Sequence, residues 1–270
     1  MPLSITSRKN ELVREYLRLA ASASDRREQG RLSLEGARLC RDAAESGLKI
    51  LSLFYTQEAA AKYDGYLDAI RAFSPVEYLI SQSVADCLSD TKHPQGVFCV
   101  CSMPEETAGV LSPSGGENFL MLENMQDPAN LGAALRTAEA VGIGGVVLAG
   151  NCCDVYSPKA LRAGMGAAFR LPVFRRGIAA EAVARLNAAG FRTLAAVPDR
   201  SALPVTLVDF SVPSVVVIGN EGNGLIEMTE RACTARVTIP MKGRAESLNA
   251  AAAAVVFMWE MMREKGVGNP

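Results

Sequence analysis

Histidine is nearly missing from this chain: His93 stands alone among 270 residues. The seven cysteines (Cys40, Cys87, Cys99, Cys101, Cys152, Cys153, Cys233) form no CxxC pair and have no histidine beside them, so no metal site is expected. Their apolar surroundings suit buried thiols in a reducing compartment. The first ten residues lack the apolar core of a signal peptide. The most apolar stretch has thirteen uncharged residues, short of the roughly 18 to 20 of a membrane span, so a cytoplasmic protein without a membrane partner is expected. An excess of one charge is also missing. The formal net charge of −1 excludes a global basic field and leaves any nucleic-acid site to local patches. Two runs qualify: residues 8–41, with nine basic against five acidic residues, and residues 159–176, with Lys159, Arg162, Arg170, Arg175 and Arg176 and no acid.

What is abundant is apolar residues, 49% of a chain comfortable for two domains. Residues 8–21 carry Leu12, Tyr16 and Leu19 at helical spacing, and a charged turn leads to Gly30. RLSLEGARLCRDAAESG reads as a strand passing into a helix, and LKILSLFYT as a strand. A helix over 58–73, strands at 76–80 and 97–101 and a short helix at 84–88 complete a small α/β domain, residues 1–103. Residues 104–117, PEETAGVLSPSGGE, form a linker. The second domain, residues 118–270, opens with a strand at 119–122, the loop ENMQDPANLG, a helix to about 141 and a strand at 146–149. Helices at 157–167 and 179–189, strands at 193–197 and 214–218, a short helix near 225, a strand ending at 239 and a final helix follow.

Three polar clusters punctuate this second domain. In the first, residues 124–136, Asp127-Pro128 sets a turn and Asn130 and Arg136 lie near a helix N-terminus, an anion-attracting place. In the second, VVVIGNEGNGL at 215–225, a β-branched strand runs into a glycine loop of the kind that binds ligands at strand ends, and Gly219 lets a ligand approach the backbone. The third is IPMKGRAESLNAAAAAVVFMWE, residues 239–260. Here Ser247 and Asn249 open a helix on which Leu248, Ala252, Val255, Trp259 and Met262 form one apolar line and Ala250, Ala254, Phe257 and Met261 another. A helix apolar all round is buried, inside the protein or against a second subunit. Taken singly, each cluster also fits a cap, a turn or a core helix.

Together, NMQDPANLGAALRTAEAVG, IGNEGNGL and IPMKGRAESLNAAAA closely resemble the three motifs of the SpoU (TrmH-like) family of RNA ribose 2′-O-methyltransferases, a branch of the SPOUT class. The likeness covers residues 118–265. RLSLEGARL and HPQGVFCV look, more loosely, like the small α/β (L30e-like) substrate-binding domain often found before that catalytic domain. The resemblance implies an α/β fold with a parallel sheet and a deep trefoil knot, a rare exception to unknotted topology. It implies S-adenosylmethionine held near Gly219, Ile239, Leu248, Ile218, Met241 and Ala196, and a catalytic group of Arg136, Asn130, Glu221, Ser247 and Asn249. By the same resemblance Arg136 lies closest to the attacking 2′-hydroxyl, with Asn130 and Ser247 orienting it or the ribose, Asn249 holding loop or cofactor, and Glu221 bracing Arg136 or the glycine loop. RNA, ribosomal in preference to transfer, and a second copy of the chain are the implied partners. A transfer-RNA enzyme and a non-catalytic RNA-binding dimer are the alternatives. A nicotinamide enzyme is disfavoured because Gly142, Gly144 and Gly145 close a helix and precede a strand, the reverse of the dinucleotide fingerprint.

Overall fold

Short apolar runs between turn residues build two sheets in the computed structural model, which describes residues 2–73, 76–105, 107, 109 and 111–263. Residues 106, 108 and 110 of the expected linker, and 264–270 at the end of the expected second domain, lie outside the described residues. The chain divides into two compact units, Met1–Glu105 with Tyr156–Phe169, and Glu106–Val155 with Arg170–Pro270.

The first unit runs β1 (Leu3–Ile5), α1 (Glu11–Ala21), α2 (Ala23–Gln29), β2 (Arg31–Glu35), α3 (Ala37–Glu45), β3 (Ile50–Tyr55), α4 (Gln57–Lys62), α5 (Asp64–Arg71), β4 (Glu77–Ile80), α6 (Gln82–Leu88) and β5 (Val97–Ser102). Its mixed sheet has the order β1-β4-β3-β5-β2. The charged turn expected before Gly30 is instead helix α2. It lacks an apolar period and is held by its ends: Ser22 accepts from the Asp25 amide, Gly30 takes the left-handed conformation, and buried Arg26 donates to the carbonyls of Leu19 and Ala20. The single helix expected over 58–73 breaks at Tyr63 into α4 and α5.

The second unit contains β6 (Phe119–Glu123), α7 (Pro128–Ala140) and β7 (Val146–Ala149). Helix α8 (Pro158–Gly164) follows in sequence but belongs to the first unit. Then come β8 (Val173–Arg176), α9 (Ala179–Ala188), β9 (Arg192–Ala196), β10 (Leu203–Pro204), β11 (Ser214–Ile218), α10 (Glu227–Ala232), β12 (Ala235–Thr238) and α11 (Ala250–Arg263). Every pairing in this sheet is parallel, in the order β10-β12-β9-β11-β6-β7-β8. Strands β6 and β11 are buried along their whole length, as parallel strands covered on both faces must be. Strand β8 escaped the sequence reading because its Arg175 and Arg176 read as part of a basic run.

Two features depart from expectation at the last helix. It begins at Ala250, with Asn249 as its cap and Ser247 in the preceding loop. It is also not buried all round: Ala251, Ala254, Phe257, Met258 and Met261 face the core, whereas Trp259 is 59% and Val255 41% exposed. Asn118 anchors its far end, accepting from the Ser214 amide (2.9 Å) and donating to the carbonyls of Phe210 (3.2 Å) and Met261 (3.3 Å).

Candidate active site

Because β12, β9, β11 and β6 are parallel neighbours, their carboxyl ends open on one edge of the sheet, where ligands bind in open α/β sheets. That edge holds a cavity of about 450 Å³, within the roughly 300–1,000 Å³ of pockets that enclose small molecules. All six residues assigned to the cofactor, Ala196, Ile218, Gly219, Ile239, Met241 and Leu248, line it, together with Ser247, Glu221 and Phe257. Residues 240–248 make no backbone hydrogen bond within the described chain, so their amides and carbonyls remain available to a ligand.

The glycine loop is built by Asn220. Its backbone exchanges two 2.9 Å hydrogen bonds with Gly224, its side-chain oxygen accepts from the amides of Gly222 (2.9 Å) and Asn223 (3.2 Å), and its amide nitrogen donates to the Asn124 carbonyl (2.9 Å). Gly219 is required by this loop itself. A Cβ there would lie 2.1–2.2 Å from the backbone of Gly224 and Leu225, so the loop's own closure requires glycine at this position of the cavity lining.

Glu221 joins the first two clusters. Its carboxylate accepts from the amides of Gln126 (3.3 Å) and Asp127 (3.1 Å) ahead of α7 and from the side chain of Asn130 (3.2 Å). Partial burial acts to raise this carboxyl, but the hydrogen bonds from its own amide, Asn130, Asp127 and Gln126 outweigh it and hold it below the usual value. Asn130 in turn accepts from Asn249 (3.2 Å), whose own oxygen caps α11 through the amides of Ala251 and Ala252. One chain of side chains, Asn249 to Asn130 to Glu221, thus links all three clusters. Glu221 braces the loops and does not touch Arg136.

Arg136 sits in the third turn of α7, not near its N-terminus as the sequence suggested. It is exposed, has no hydrogen bond or ion pair among the described residues, and lies outside the lining of the cavity. Ser247 lines the cavity without meeting Arg136.

Sequence reasoning missed Glu123 and Asn220. Glu123, 1% exposed at the end of β6, accepts from the Ile226 amide (2.9 Å) and the Thr229 hydroxyl (2.6 Å) and so fixes α10. A carboxylate closing an apolar strand was the available signal. Cys153 lies nearby, its amide bonded to the Met125 carbonyl. Burial first, then Cys152, Glu221, Asp127 and Asp154, push its thiol up to about 12, so it stays protonated at neutral pH and is no nucleophile.

The run 159–176 does not present a free basic face. Arg162 pairs with Asp90 (2.6 Å) and Glu35 (3.6 Å), Arg170 with Glu139 (2.7 Å) and Arg175 with Asp154 (3.6 Å). Arg176 donates to the carbonyls of Arg175 and Gly109.

Comparison with known proteins agrees with this geometry. Residues 117–259 match the SpoU rRNA Methylase family, and residues 10–99 match the MRM3-like substrate binding domain. The 23S rRNA (uridine(2479)-2′-O)-methyltransferase of Streptomyces viridochromogenes is 30% identical over 97% of this chain and 92% of its own length. The 23S rRNA (guanosine(2553)-2′-O)-methyltransferase RlmP of Bacillus subtilis is 28% identical over 95% and 98%. The crystal structure of an AdoMet-bound rRNA methyltransferase from Sinorhizobium meliloti superposes with a TM-score of 0.85 at 29% identity, covering 97% of each chain.

Proposed function

We infer the function from the family: this chain belongs to the SpoU rRNA methylase family and is an S-adenosylmethionine-dependent methyltransferase acting on a ribose 2′-hydroxyl of ribosomal RNA. The observation that carries the reading is the cavity at the ends of β9, β11 and β12, with the Asn249–Asn130–Glu221 chain beside it. Its size, its apolar walls from Ile218, Leu248 and Phe257, and its unpaired backbone groups fit an adenosyl group. Bound there, S-adenosylmethionine supplies the methyl group.

Gly219, Ile239, Leu248, Ile218, Met241 and Ala196 hold the cofactor in this reading, and Asn130, Glu221 and Asn249 fix the loops around it. Ser247 faces the ribose. Arg136 binds an RNA phosphate and polarises the hydroxyl. A guanidinium keeps its proton, so the hydroxyl proton leaves by another route. Most of the acceleration then comes from positioning. Residues 1–103 form the RNA substrate-binding domain and 118–270 the catalytic domain, which carries the knot of its class. Ribosomal RNA is favoured over transfer RNA because both full-length relatives act on 23S rRNA, an assignment that also favours the cytoplasm.

A homodimer completes the proposal. The exposed Val255 and Trp259 on one face of α11 need cover, and two-fold dimers are the commonest assembly. Helix α7 packs on α11, so Arg136 belongs to the same region.

The test is transfer of labelled methyl groups to ribosomal RNA, with 2′-O-methyl sites mapped in cells with and without the gene. Arg136→Ala should lower turnover at least about 100-fold, as expected for loss of one electrostatic stabiliser. Cofactor affinity by calorimetry should be unchanged, since a cation offers nothing favourable to a sulfonium. Turnover near wild type, or lost cofactor binding, would remove Arg136 from the catalytic step.

A further inference from the structure

The guanidiniums near the cofactor cavity fall into two groups. Arg236, in its lining, is held by Asp199 (2.7 Å) and Glu230 (2.7 Å). Arg200 and Arg244 are exposed, and neither enters a hydrogen bond or ion pair among the described residues. Both line a second cavity of about 720 Å³, which shares Pro198, Thr238, Ile239 and Met241 with the first. Asp199, adjacent to Arg200 in sequence, is already occupied by Arg236 and by the amide and hydroxyl of Ser201, each at 2.8 Å. Glu246 is the one acid in the lining, so two guanidiniums face one carboxylate, with Lys242 exposed in the same loop.

We propose that this second cavity binds backbone phosphates of the RNA flanking the target ribose, with Arg200 and Arg244 as the phosphate-holding side chains. The inference rests on the methyl-transfer reading and adds to it the place where the RNA backbone lies. A 2′-hydroxyl and its neighbouring 3′-phosphate belong to one nucleotide, so a phosphate site must adjoin the cavity that holds the methyl donor. The shared wall of Thr238, Ile239 and Met241 meets that condition. Guanidinium forks match phosphate oxygens in two-point contacts, and an unpaired arginine gives up no internal ion pair when it takes one. Arg162, Arg170 and Arg175 would each have to break one.

The experiment uses the full chain with Arg200→Gln, Arg244→Gln, the double variant and Arg244→Lys. It measures ribosomal RNA binding across a salt series, KM and kcat for methyl transfer, and S-adenosylmethionine affinity by calorimetry. In the double variant the slope of log affinity against log salt should fall by about 1.4, near 0.7 for each lost contact to single-stranded RNA. KM for RNA should rise about tenfold, and cofactor affinity should stay within about twofold of wild type. Arg244→Lys, which keeps the charge, should restore most of the slope, an outcome that misfolding could not produce. An unchanged salt slope in the double variant overturns the proposal. So does a loss of cofactor affinity, which would give the cavity to the carboxylate of S-adenosylmethionine. Because the slope is read from binding, it tests the phosphate contacts even if the wild type transfers no methyl group, a result that would overturn only the reading of the reaction.

Discussion

Glu221 shows how one side chain can hold two loops together at the edge of a cavity. It gathers two backbone amides and the Asn130 side chain onto one carboxylate, and these donors hold it ionised below its usual range. A group whose folded pKa is depressed stabilises the fold above its unfolded value, near 4.3 for glutamate, and loses that contribution as pH falls through the lower folded value. Glu221→Gln keeps the shape but turns a donor toward the donors of Asn130 and the α7 entrance. Because the carboxylate is exposed, the loss should be modest, about 1 kcal/mol, or about 2–4 °C in thermal midpoint. The deficit should be constant from neutral pH to about 5 and should vanish on further acidification, as wild type and variant converge. Thermal scans from pH 3 to 8 check this, and a deficit that persists in acid would mean that packing and not charge joins the loops.

The glycine loop between β11 and α10 is the element on which the cavity depends. Asn220 closes it at both ends, and the chain folds back so tightly that a Cβ at 219 would overlap the Gly224–Leu225 backbone. Gly219→Ala should therefore lower the thermal midpoint and weaken S-adenosylmethionine binding together, because backbone, unlike the end of a flexible side chain, cannot step aside cheaply. If calorimetry found lost affinity at an unchanged midpoint, the methyl would be occupying ligand space and the loop would not be the cause. Helix α11 is a second such element. Its small residues Ala250, Ala251 and Ala254 lie buried, and Asn249 ties its first turn to α7 through Asn130.

At the scale of the whole molecule, the proposed dimer is tested on the outward side of α11. Exposed apolar side chains scattered singly are ordinary, but Val255 and Trp259, four residues apart, share one face of α11. Trp259→Glu places a charge where a second copy would bury it. Sedimentation at micromolar concentration should then show a monomer in place of the dimer proposed for the wild type, with methyl transfer reduced alongside. A wild-type monomer with full activity would exclude the dimer. No described helix is long and apolar enough to cross a membrane.

The sequence by itself determined what depends on neighbours along the chain. Short apolar runs ended by Asn, Gly or Pro marked β6, β11 and β12, and the three polar clusters in that order were enough to point to the family. The apolar periodicity of 250–263 announced its last helix. Only tertiary structure decided which strand lies beside which. The order β12-β9-β11-β6 is set by packing between distant segments, and it brings Asn130 to Glu221, 91 residues on, and to Asn249, 119 residues on. The same reason explains why Gly219 answers to Gly224 and why α8 belongs with the first unit. It also explains why a run of arginines that looks free in sequence is tied to carboxylates supplied from elsewhere, while Arg200 and Arg244, unremarkable in sequence, are left open to solvent. Periodicity and spacing record local burial, whereas partners chosen across the fold are fixed only when the sheet is assembled.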